Sequence, residues 1–534
     1  MTERIWMVRG TAGSAGLALL LGVLGTAQVV AQQFGGLAAG PYDRLVIQGA
    51  MVIPGHGGPP AGPYDIVIEG NVISEMIPFD AVTAERRGST QRPTGDRVID
   101  ATGMYVMPGM IDLHQHFRTD ALPLEYTYYL KLAHGVTTLV PAEGARLREQ
   151  VSLSQENMIL APRLFQLYGW GATTDYGRAA LEDPARAPEI ARAMAQNGVH
   201  VVSLGSVTWD EDLFGAVARA VWDAGGITSI HLPPSTNAVV DAVDAARLGA
   251  TMIEHHYAYA EASLDRSVQD FPRDYNYNNE NHRFRHAGTV WEEANRTSKE
   301  RLLSEVADSL VAYGVTMLPT RVVYEANRDV VRAQSLPWHE KYTHQALIDW
   351  NLPNAAYHGA YHYDWTSDDE QSWYTAFDLW GDLIYEFNKR GGRVAYGTDD
   401  NYIWATAGFS NIRELQLLRE TGMHNLEVLK AATKNSAETL RQDRLGLVRP
   451  GYLADLIIVD GNPAYNLRFM YSFGALRLDE NGQMERSRGI VHTIKDGIVT
   501  ENARLMEEVA RMVAESKQGV SPVNAVTEPF RLNR

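Results

Sequence analysis

Short apolar runs alternate with longer amphipathic stretches through the middle of the chain. We predict eight of the apolar runs to be strands, because each is too short for a buried helix. They are Gly109–His116, Val136–Val140, Arg163–Tyr168, Val199–Leu204, Ile227–His231, Thr251–His256, Val315–Pro319 and Arg393–Asp399. The predicted helices between them include Pro188–Asn197, Asp212–Asp223, Ala238–Leu248 and Lys299–Tyr313. Eight strand–helix units favour an α/β fold with a closed (β/α)8 TIM-like barrel over a doubly wound sheet.

Both flanks of this region carry a different pattern, in which short β-rich runs are joined by Gly and Pro turns. The simplest interpretation is one small β-sandwich domain built from both ends of the chain, although two separate caps would give the same pattern. We therefore divide the chain into a signal peptide (1–31), the N-terminal part of the β-sandwich (32–106), the barrel (107–440), the C-terminal part of the β-sandwich (441–505) and a C-terminal tail (506–534).

Two stretches between the predicted elements exceed ordinary loop length. They are Tyr257–Arg296 and the aromatic-rich Trp338–Trp373. We interpret them as lids or substrate walls, with a solvated or oligomer-forming insertion as the alternative. A homo-oligomer therefore remains one possible assembly.

The first residues have the pattern of a secretory signal peptide. Arg4 and Arg9 precede the apolar run 15–24, and small residues end at Ala31, where we expect cleavage. A membrane anchor is the competing interpretation, but the apolar run is shorter than the roughly 18 to 20 residues needed to span a bilayer. We expect a periplasmic or secreted protein that is free of the membrane after cleavage.

Composition narrows the chemistry. The chain has 48 basic and 65 acidic side chains, a formal net charge of −17, which makes nucleic acid an improbable partner and leaves small molecules as substrates. It has no cysteine, which excludes disulfides, a lipid-attachment cysteine and any thiolate ligand or nucleophile. Histidine, aspartate and glutamate are left for metal binding and catalysis.

The segment Asp112-Leu-His-Gln-His116 places two histidines two residues apart at the end of a predicted strand. Side chains alternate along a strand, so His114 and His116 face the same side, as a zinc-like ion requires. His231, the pair His255–His256 and Asp399 also lie at predicted strand ends, where barrel enzymes carry their catalytic groups.

Together these motifs resemble the metal-dependent amidohydrolase superfamily, nearest to its imidazolonepropionase-like and prolidase-like branch. The resemblance rests on Val106-Met-Pro-Gly-Met-Ile-Asp-Leu-His-Gln-His116, Gly135-Val-Thr-Thr138, Ile253-Glu-His255, Gly397-Thr-Asp399 and Gly451-Tyr-Leu-Ala-Asp-Leu456. It covers nearly all of the chain after the predicted signal peptide. It implies a metal-dependent hydrolase that acts on carbon–nitrogen bonds.

The resemblance also implies a role for each matched residue. His114, His116, His231 and Asp399 would bind the metal, and Asp399 would also act as the general acid and base. His255 would contact the attacking water or the carbonyl oxygen. The neighbouring His256 remains an alternative to His255, because only the motif match favours the latter.

One position departs from the family pattern. Two-metal members carry a carboxylated lysine on the fourth strand, and here the aligned residue is Ser203, with no lysine between Lys131 and Lys299. A serine hydroxyl is a poor bridge between divalent ions. We therefore expect one zinc per chain, with Asp210 or Glu211, just beyond the strand, as the first residues to test if a second ion is bound.

The substrate is predicted from the end of the seventh strand and from the aromatic insertion. Arg321 and Tyr324 follow that strand, and a guanidinium suits a substrate carboxylate, with a plain surface salt bridge as the alternative role of Arg321. Together with the aromatic residues of the insertion Trp338–Trp373, this arginine leads us to expect a dipeptide or an N-acyl amino acid as the substrate. Metal-activated water would cleave its amide bond. The alternatives are a cyclic-amidine deaminase or imidazolone-type ring hydrolase, and a catalytically silent barrel that only binds a ligand.

Overall fold

The computed structural model describes residues 34–80, 82, 92–117, 121–142, 147–171, 176–204, 210–232, 239–265, 273–276 and 278–518. The predicted signal peptide and the tail beyond residue 518 lie outside these ranges. Within them, no helix combines the length and apolar character needed to cross a bilayer.

The strands fall into a flanking set and a central set. The flanking strands before the centre are β1 (Ala38–Ala39), β2 (Arg44–Val52), β3 (Ala61–Glu69), β4 (Val72–Pro78), β5 (Arg97–Asp100) and β6 (Tyr105–Pro108). The central strands are β7 (Met110–Gln115), β8 (Val136–Pro141), β9 (Arg163–Leu164), β10 (Gln166–Gly169), β11 (Val199–Ser203), β12 (Ile227–Ile230), β13 (Met252–Glu254), β14 (Thr316–Leu318) and β15 (Arg393–Val394). The flanking strands after the centre are β16 (Leu456–Asp460), β17 (Leu476–Leu478), β18 (Met484–Arg486), β19 (Gly489–Lys495) and β20 (Ile498–Thr500).

The α-helices lie mainly between the central strands and in the two insertions. They are α1 (Leu124–Ala133), α2 (Arg148–Gln155), α3 (Arg178–Leu181), α4 (Ala187–Gln196), α5 (Glu211–Asp223), α6 (Ala242–Arg247), α7 (Tyr259–Ser263), α8 (Glu280–Thr297), α9 (Lys299–Arg301), α10 (Ala307–Tyr313), α11 (Glu325–Arg328), α12 (Val330–Gln334), α13 (His339–Tyr342), α14 (Gln345–Asn351), α15 (Ser367–Lys389), α16 (Phe409–Glu420), α17 (Asn425–Lys430), α18 (Ser436–Thr439) and α19 (Asn502–Ser516). Single 3₁₀ turns lie at Pro184–Arg186, Arg321–Tyr324 and Leu467–Met470, and π-helical segments at Leu302–Val306 and Ala431–Asn435.

The central strands confirm the α/β class. β7, β8 and β9 form one parallel sheet, and β10 to β15 form a second one in sequence order. Backbone hydrogen bonds also join the first strand to the chain after the last, since Leu113 N donates to Tyr396 O at 3.0 Å and Asp399 N donates to His114 O at 2.8 Å. These bonds bring the two ligand-bearing segments of the chain together.

The flanking strands of both ends form one nine-stranded sheet in the order β1-β20-β19-β16-β6-β2-β3-β4, with β5 paired to β2. The seam is the antiparallel pair of β6 and β16, in which Val106 lies opposite Ile458. Alternate apolar side chains of both parts, among them Leu45, Ile66, Leu456 and Ile494, share one buried cluster. The pairing explains why the same β-rich pattern appears at both ends of the sequence.

The segment predicted to begin a tail at residue 506 continues a helix instead. α19 extends to Ser516 and buries Leu505, Val509 and Val513 at a spacing of four residues. The apolar stripe is typical of a packed amphipathic helix, and it lies against α1. The described part of this segment therefore belongs to the folded body of the protein.

Candidate metal centre and active-site cavity

The first two candidate ligands lie at the carboxyl end of β7. His114 is buried and His116 follows the strand, so both imidazoles point toward the same space, as the alternation of side chains predicts. Their ring centroids are 5.1 Å apart. This short separation allows both rings to reach one ion.

Asp399 joins them from the other end of the central sheet. Its backbone has a left-handed conformation (φ 51°), which a non-glycine residue adopts only when its surroundings enforce it. The bonds that Thr398 N and Asp399 N donate to His114 O hold this segment against β7. The carboxylate is thereby placed next to both histidines.

The resulting cluster is compact. Asp399 Oδ1 lies 3.3 Å from His116 Nε2 and 3.6 Å from His114 Nε2. One ligand atom from each of these three residues lies within 4.8 Å of the others. The structure thus brings together three of the four metal ligands implied by the resemblance.

Glu254, the last residue of β13, is a site residue that the sequence analysis did not single out. Its Oε1 atom lies 2.9 Å from His114 Nδ1, its Oε2 atom lies 3.8 Å from His255 Nε2, and it accepts a short hydrogen bond from Ser229 Oγ. His114, Glu254 and His255 form a second compact ligand group. The acidic residue in the motif Ile253-Glu-His255, at the end of a predicted strand, is the signal from which Glu254 could have been found.

The donor set fits a divalent cation. His114 Nδ1 is buried and has no partner in hydrogen-bond geometry. The Glu254 Oε1 atom lies 2.9 Å from it, so the two residues are in ion-pair contact. Imidazole nitrogens and carboxylate oxygens are the ligands that zinc takes when no thiolate is present. A buried imidazole between two carboxylates is the environment expected next to a cation.

The carboxylates and histidines shift one another's pKa values. Burial would raise the pKa of Asp399, but its contacts with His114 and the charges of His116 and His255 hold it well below its usual range. Burial likewise opposes ionisation of Glu254, yet His114 lowers its pKa to about 2. For His114, burial is outweighed by Glu254 and Asp399, which raise its pKa to about 10. Both carboxylates are therefore ionised at neutral pH.

The geometry distinguishes His255 from His256. His255 Nδ1 lies 2.7 Å from Thr320 Oγ1, and burial lowers its pKa to about 4, so its ring is neutral and oriented. His256 instead packs among aromatic rings, with its centroid 4.5 Å from Tyr324 and 5.0 Å from Trp373. The position favoured by the motif is the one that faces the cluster.

His231 lies beside the cluster without joining either ligand group. Its ring centroid is 4.9 Å from that of His255, and its Nε2 accepts a hydrogen bond of 3.2 Å from the Arg283 guanidinium. Burial, with the charges of His255 and Arg283, lowers the pKa of His231 well below its usual value. Arg283 belongs to α8 and also donates to Tyr257 Oη at 3.0 Å. The sequence pattern gives no signal for this arginine, because only the fold brings the insertion to the strand ends.

The two residues predicted to bind substrate, Arg321 and Tyr324, lie in different places, and only Tyr324 lines the cavity. Tyr324 is buried in the cavity wall, with its ring centroid 5.7 Å from that of His255. Arg321 points away from the cavity: its guanidinium lies 4.6 Å from the Phe377 ring centroid and donates to Phe377 O. The 3₁₀ turn that starts after Thr320 rotates the two side chains to different sides.

Among the described residues around β11, the predicted fourth strand, no acidic side chain belongs to either ligand group. Ser203 lines the cavity, but Asp210 caps the N-terminus of α5 through a bond from Leu213 N. Glu211 is half-exposed and pairs with Arg247 at 2.7 Å. These two acids therefore make local contacts, and the carboxylate that joins Asp399 near the strand ends is Glu254.

These side chains enclose a cavity of about 340 Å³, a size that holds a small molecule. Its wall combines ligand-type, aromatic and basic side chains: His114, His116, Ala142, Leu167, Ser203, His231, Glu254, His255, Arg283, Phe284, Tyr324, His358, Asp399 and Tyr402.

Lys131, Asp112 and Asp400 form an ion-pair layer beside the candidate metal ligands. Lys131 is fully buried, and its Nζ atom donates to Asp112 Oδ2 at 2.8 Å and to Asp400 Oδ2 at 2.5 Å. Thr398 Oγ1 and Asn411 Oδ1 complete its shell at 3.1 and 3.0 Å. Because Asp112 and Asp400 flank the ligand positions, this layer ties the two ligand segments together.

Comparison with known proteins gives sequence matches over short parts of this chain. The Amidohydrolase family matches residues 384–499. A dihydroorotase from Bacillus licheniformis is 44% identical over 54 residues, which cover 10% of this chain and 10% of that enzyme. The chain thus spans about a tenth of the length of this curated relative.

Solved structures match over most of the chain. A bottromycin amidohydrolase superimposes with a TM-score of 0.58 at 17% identity, covering 90% of this chain and 93% of that one. A Xaa-Pro dipeptidase with bound methionine in its active site gives a TM-score of 0.55 at 17% identity, covering 86% and 100%. At this level of identity the likeness shows a shared fold.

Proposed function

We propose that this chain, which belongs to the metal-dependent amidohydrolase superfamily, hydrolyses an amide or peptide C–N bond of a small substrate. The observation that carries the proposal is the compact cluster of His114, His116 and Asp399 at the base of a 340 Å³ cavity. A dipeptide or an N-acyl amino acid is the substrate class we propose. The dipeptidase likeness and the Arg283 guanidinium in the cavity wall support it.

We propose one divalent ion, zinc, held by His114, His116 and Asp399, with His231 as a further ligand. The position that carries the bridging lysine in two-metal members is Ser203 here, and its hydroxyl lines the cavity without offering a carboxylate between two ions, which supports a single site. When bound, the ion would supply Lewis-acid chemistry and lower the pKa of a water molecule toward neutrality, so that this water could lose a proton and act as the nucleophile.

The residues of the chain then divide the proton transfers. Asp399, ionised and beside the ligand histidines, takes the proton of the attacking water and delivers it to the leaving nitrogen. His255 is held by Thr320 through Nδ1, which leaves Nε2 to contact the substrate carbonyl oxygen. Tyr324 closes the wall behind His255 and limits the water that can enter.

The finer features of the fold enter this proposal as well. We take the nine central strands as the eight strand positions of a closed (β/α)8 barrel, with the predicted strand Arg163–Tyr168 divided into β9 and β10. We take the nine-stranded sheet as part of a β-sandwich domain. The bonds between β7 and residues 396–399 support closure of the barrel. We also propose export to the periplasm or the medium, supported by the pattern of residues 1–31. Protein recovered from the producing cell should begin close to Gln32, and an intact Met1 on the mature protein would refute export by cleavage.

The experiment that tests the function is a substrate screen of zinc-loaded protein with dipeptides, N-acyl amino acids and cyclic amidines. Turnover of either of the first two classes supports the proposal. Exclusive turnover of cyclic amidines would make the chain a deaminase or ring hydrolase instead. Metal analysis of the same sample should give about one tightly bound zinc per chain, whereas an anomalous map with two ions ~3.5 to 4 Å apart would contradict the single site.

A further inference from the structure

A hydrogen-bonded chain of three side chains, centred on one residue of the second insertion, reaches the cavity wall. His358 belongs to this insertion, Glu280 begins α8 in the first insertion, and Tyr402 lies three residues after the proposed general base Asp399. Both His358 and Tyr402 line the cavity. Three distant parts of the sequence therefore meet at one point of the wall.

The order of the contacts fixes the direction of the chain. Glu280 accepts a short hydrogen bond from His358 Nδ1, and His358 Nε2 lies 2.8 Å from Tyr402 Oη. A carboxylate only accepts, so Nδ1 carries the proton of the neutral imidazole, and in that neutral form Nε2 accepts the proton of Tyr402. The phenol oxygen of Tyr402 then offers lone pairs, rather than a proton, to the cavity.

The backbone around His358 is adapted to this contact. Gly359 N donates to the same Glu280 carboxylate, and a Cβ atom at residue 359 would come within 2.0 Å of the Tyr402 ring. Gly359 also has a left-handed backbone (φ 90°), which favours glycine. The backbone of the insertion therefore approaches the Tyr402 ring so closely that only glycine fits at position 359.

The position of the chain within the cavity indicates what it binds. The His358 side chain is 46% exposed, whereas that of His114 is 7% exposed, so the cavity extends from the ligands toward solvent along this wall. An acceptor oxygen in a wall that also holds the Asp399 carboxylate favours an N–H group, above all a protonated amine. Arg283, in the same cavity, has the opposite preference and suits a carboxylate.

We propose that Tyr402 binds the free α-amino group of the substrate, and that Glu280 and His358 are positioning residues that hold its phenol oxygen as an acceptor. The inference rests on the proposed amide hydrolysis and narrows its substrate class from dipeptides or N-acyl amino acids to unblocked dipeptides. It assigns a role to an insertion outside the metal cluster.

The test compares two substrates that differ only in the amine, namely the alanyl and the propionyl derivative of one amino acid. Wild-type enzyme should show a kcat/KM for the alanyl compound at least about 10-fold above that for the propionyl compound, because a site built for a hydrogen bond rejects the analogue that lacks it. Tyr402→Phe should reduce this ratio to within about 3-fold. Tyr357→Phe, an exposed tyrosine of the same insertion stacked on Trp350, is the matched control and should keep the ratio.

A second pair of variants tests the positioning residues without altering Tyr402. His358→Leu removes the acceptor and should lower the ratio as Tyr402→Phe does, whereas His358→Gln, whose amide oxygen can accept from the phenol, should restore most of it. An unchanged ratio in both Tyr402→Phe and His358→Leu, with hydrolysis of either compound intact, would overturn the inference and leave the proposed function standing. Loss of all hydrolysis in the wild-type enzyme would overturn both.

Discussion

Asp399 and Asp400 are neighbours in sequence, both are buried, and their carboxylates have opposite surroundings. Asp399 faces the histidines of the ligand cluster, and Asp400 faces Lys131 in the ion-pair layer. The same division separates His114 from Asp112 on β7. Alternation along two chain segments thus produces one layer suited to a metal and one layer that fixes those segments to each other. Substitutions in the first layer should therefore reduce activity, and substitutions in the second should reduce the free energy of unfolding.

The largest contrast is expected from Asp399→Asn. An amide cannot accept the proton of the attacking water, so kcat should fall by about 10⁴-fold, or ~5 kcal/mol of transition-state stabilisation, with a much smaller change in the free energy of unfolding. The matched neighbour Asp400→Asn should lower the free energy of unfolding and reduce kcat far less. Steady-state kinetics and urea unfolding of both variants measure this; equal losses of kcat would show that the layers do not divide function in this way.

The ion-pair layer is tested by Lys131→Met. The substitution keeps the length of the side chain but leaves Asp112 and Asp400 buried without their cation, which should cost about 4 kcal/mol of stability. Urea unfolding measures the loss. Lys389→Met, at a side chain that is 61% exposed, should change the same quantity by no more than about 0.5 kcal/mol. A small effect at Lys131 would mean that the two carboxylates are neutral or hydrated in solution.

The contributions of two histidines to zinc binding are compared with the variants His116→Gln and His231→Gln. His116 Nε2 lies next to Asp399, whereas His231 Nε2 accepts from the Arg283 guanidinium, which must move before that nitrogen can bind a cation. We expect His116→Gln to weaken zinc binding by about 100-fold, or ~3 kcal/mol, and His231→Gln to weaken it less. Competition with a chelator gives both constants, and the reverse order would make His231 the stronger ligand.

The smallest effect concerns acid stability and lies outside both layers. Burial lowers the pKa of His134, three residues after Lys131, to about 4, while the unfolded value is near ~6.5. A histidine with a depressed pKa takes up its proton more readily in the unfolded chain, so stability falls as the pH drops from about 6.5 toward 4. Between pH 7.5 and 5 the loss from this residue should be about 2 kcal/mol, and His134→Gln should remove it. If the slopes of wild type and variant against pH are equal, the sensitivity comes from other groups.

The sequence predicted the central strands well because their apolar runs are buried on both faces. The predicted strand Val199–Leu204 is observed as Val199–Ser203, and Ile227–His231 as Ile227–Ile230. The last strand, by contrast, is only Arg393–Val394, and the predicted strand end at Asp399 has a left-handed backbone that an extended strand does not contain. Hydrophobic pattern reports burial, and it does not report such backbone conformations.

The same limit explains which site residues were missed. Strict alternation places Glu254 and His255 on opposite faces, but β13 ends at Glu254 and His255 has a left-handed backbone (φ 64°), so both reach His114. Arg321 was expected in the substrate wall, and the left-handed Thr320 before it begins a turn that directs it to Phe377. Arg283, His358 and Tyr402 meet only through long-range packing, for which a single sequence gives no signal.

The pairing of β6 with β16 also sets the order of events during synthesis. The two strands are about 350 residues apart, which at common translation rates corresponds to roughly 20 to 70 s between the appearance of one partner and the other. The apolar faces of β2, β3 and β6 stay without their final partners for that time, which favours aggregation of incomplete chains. Chains that stop before β16 should therefore accumulate in insoluble form, even when every central strand has been made.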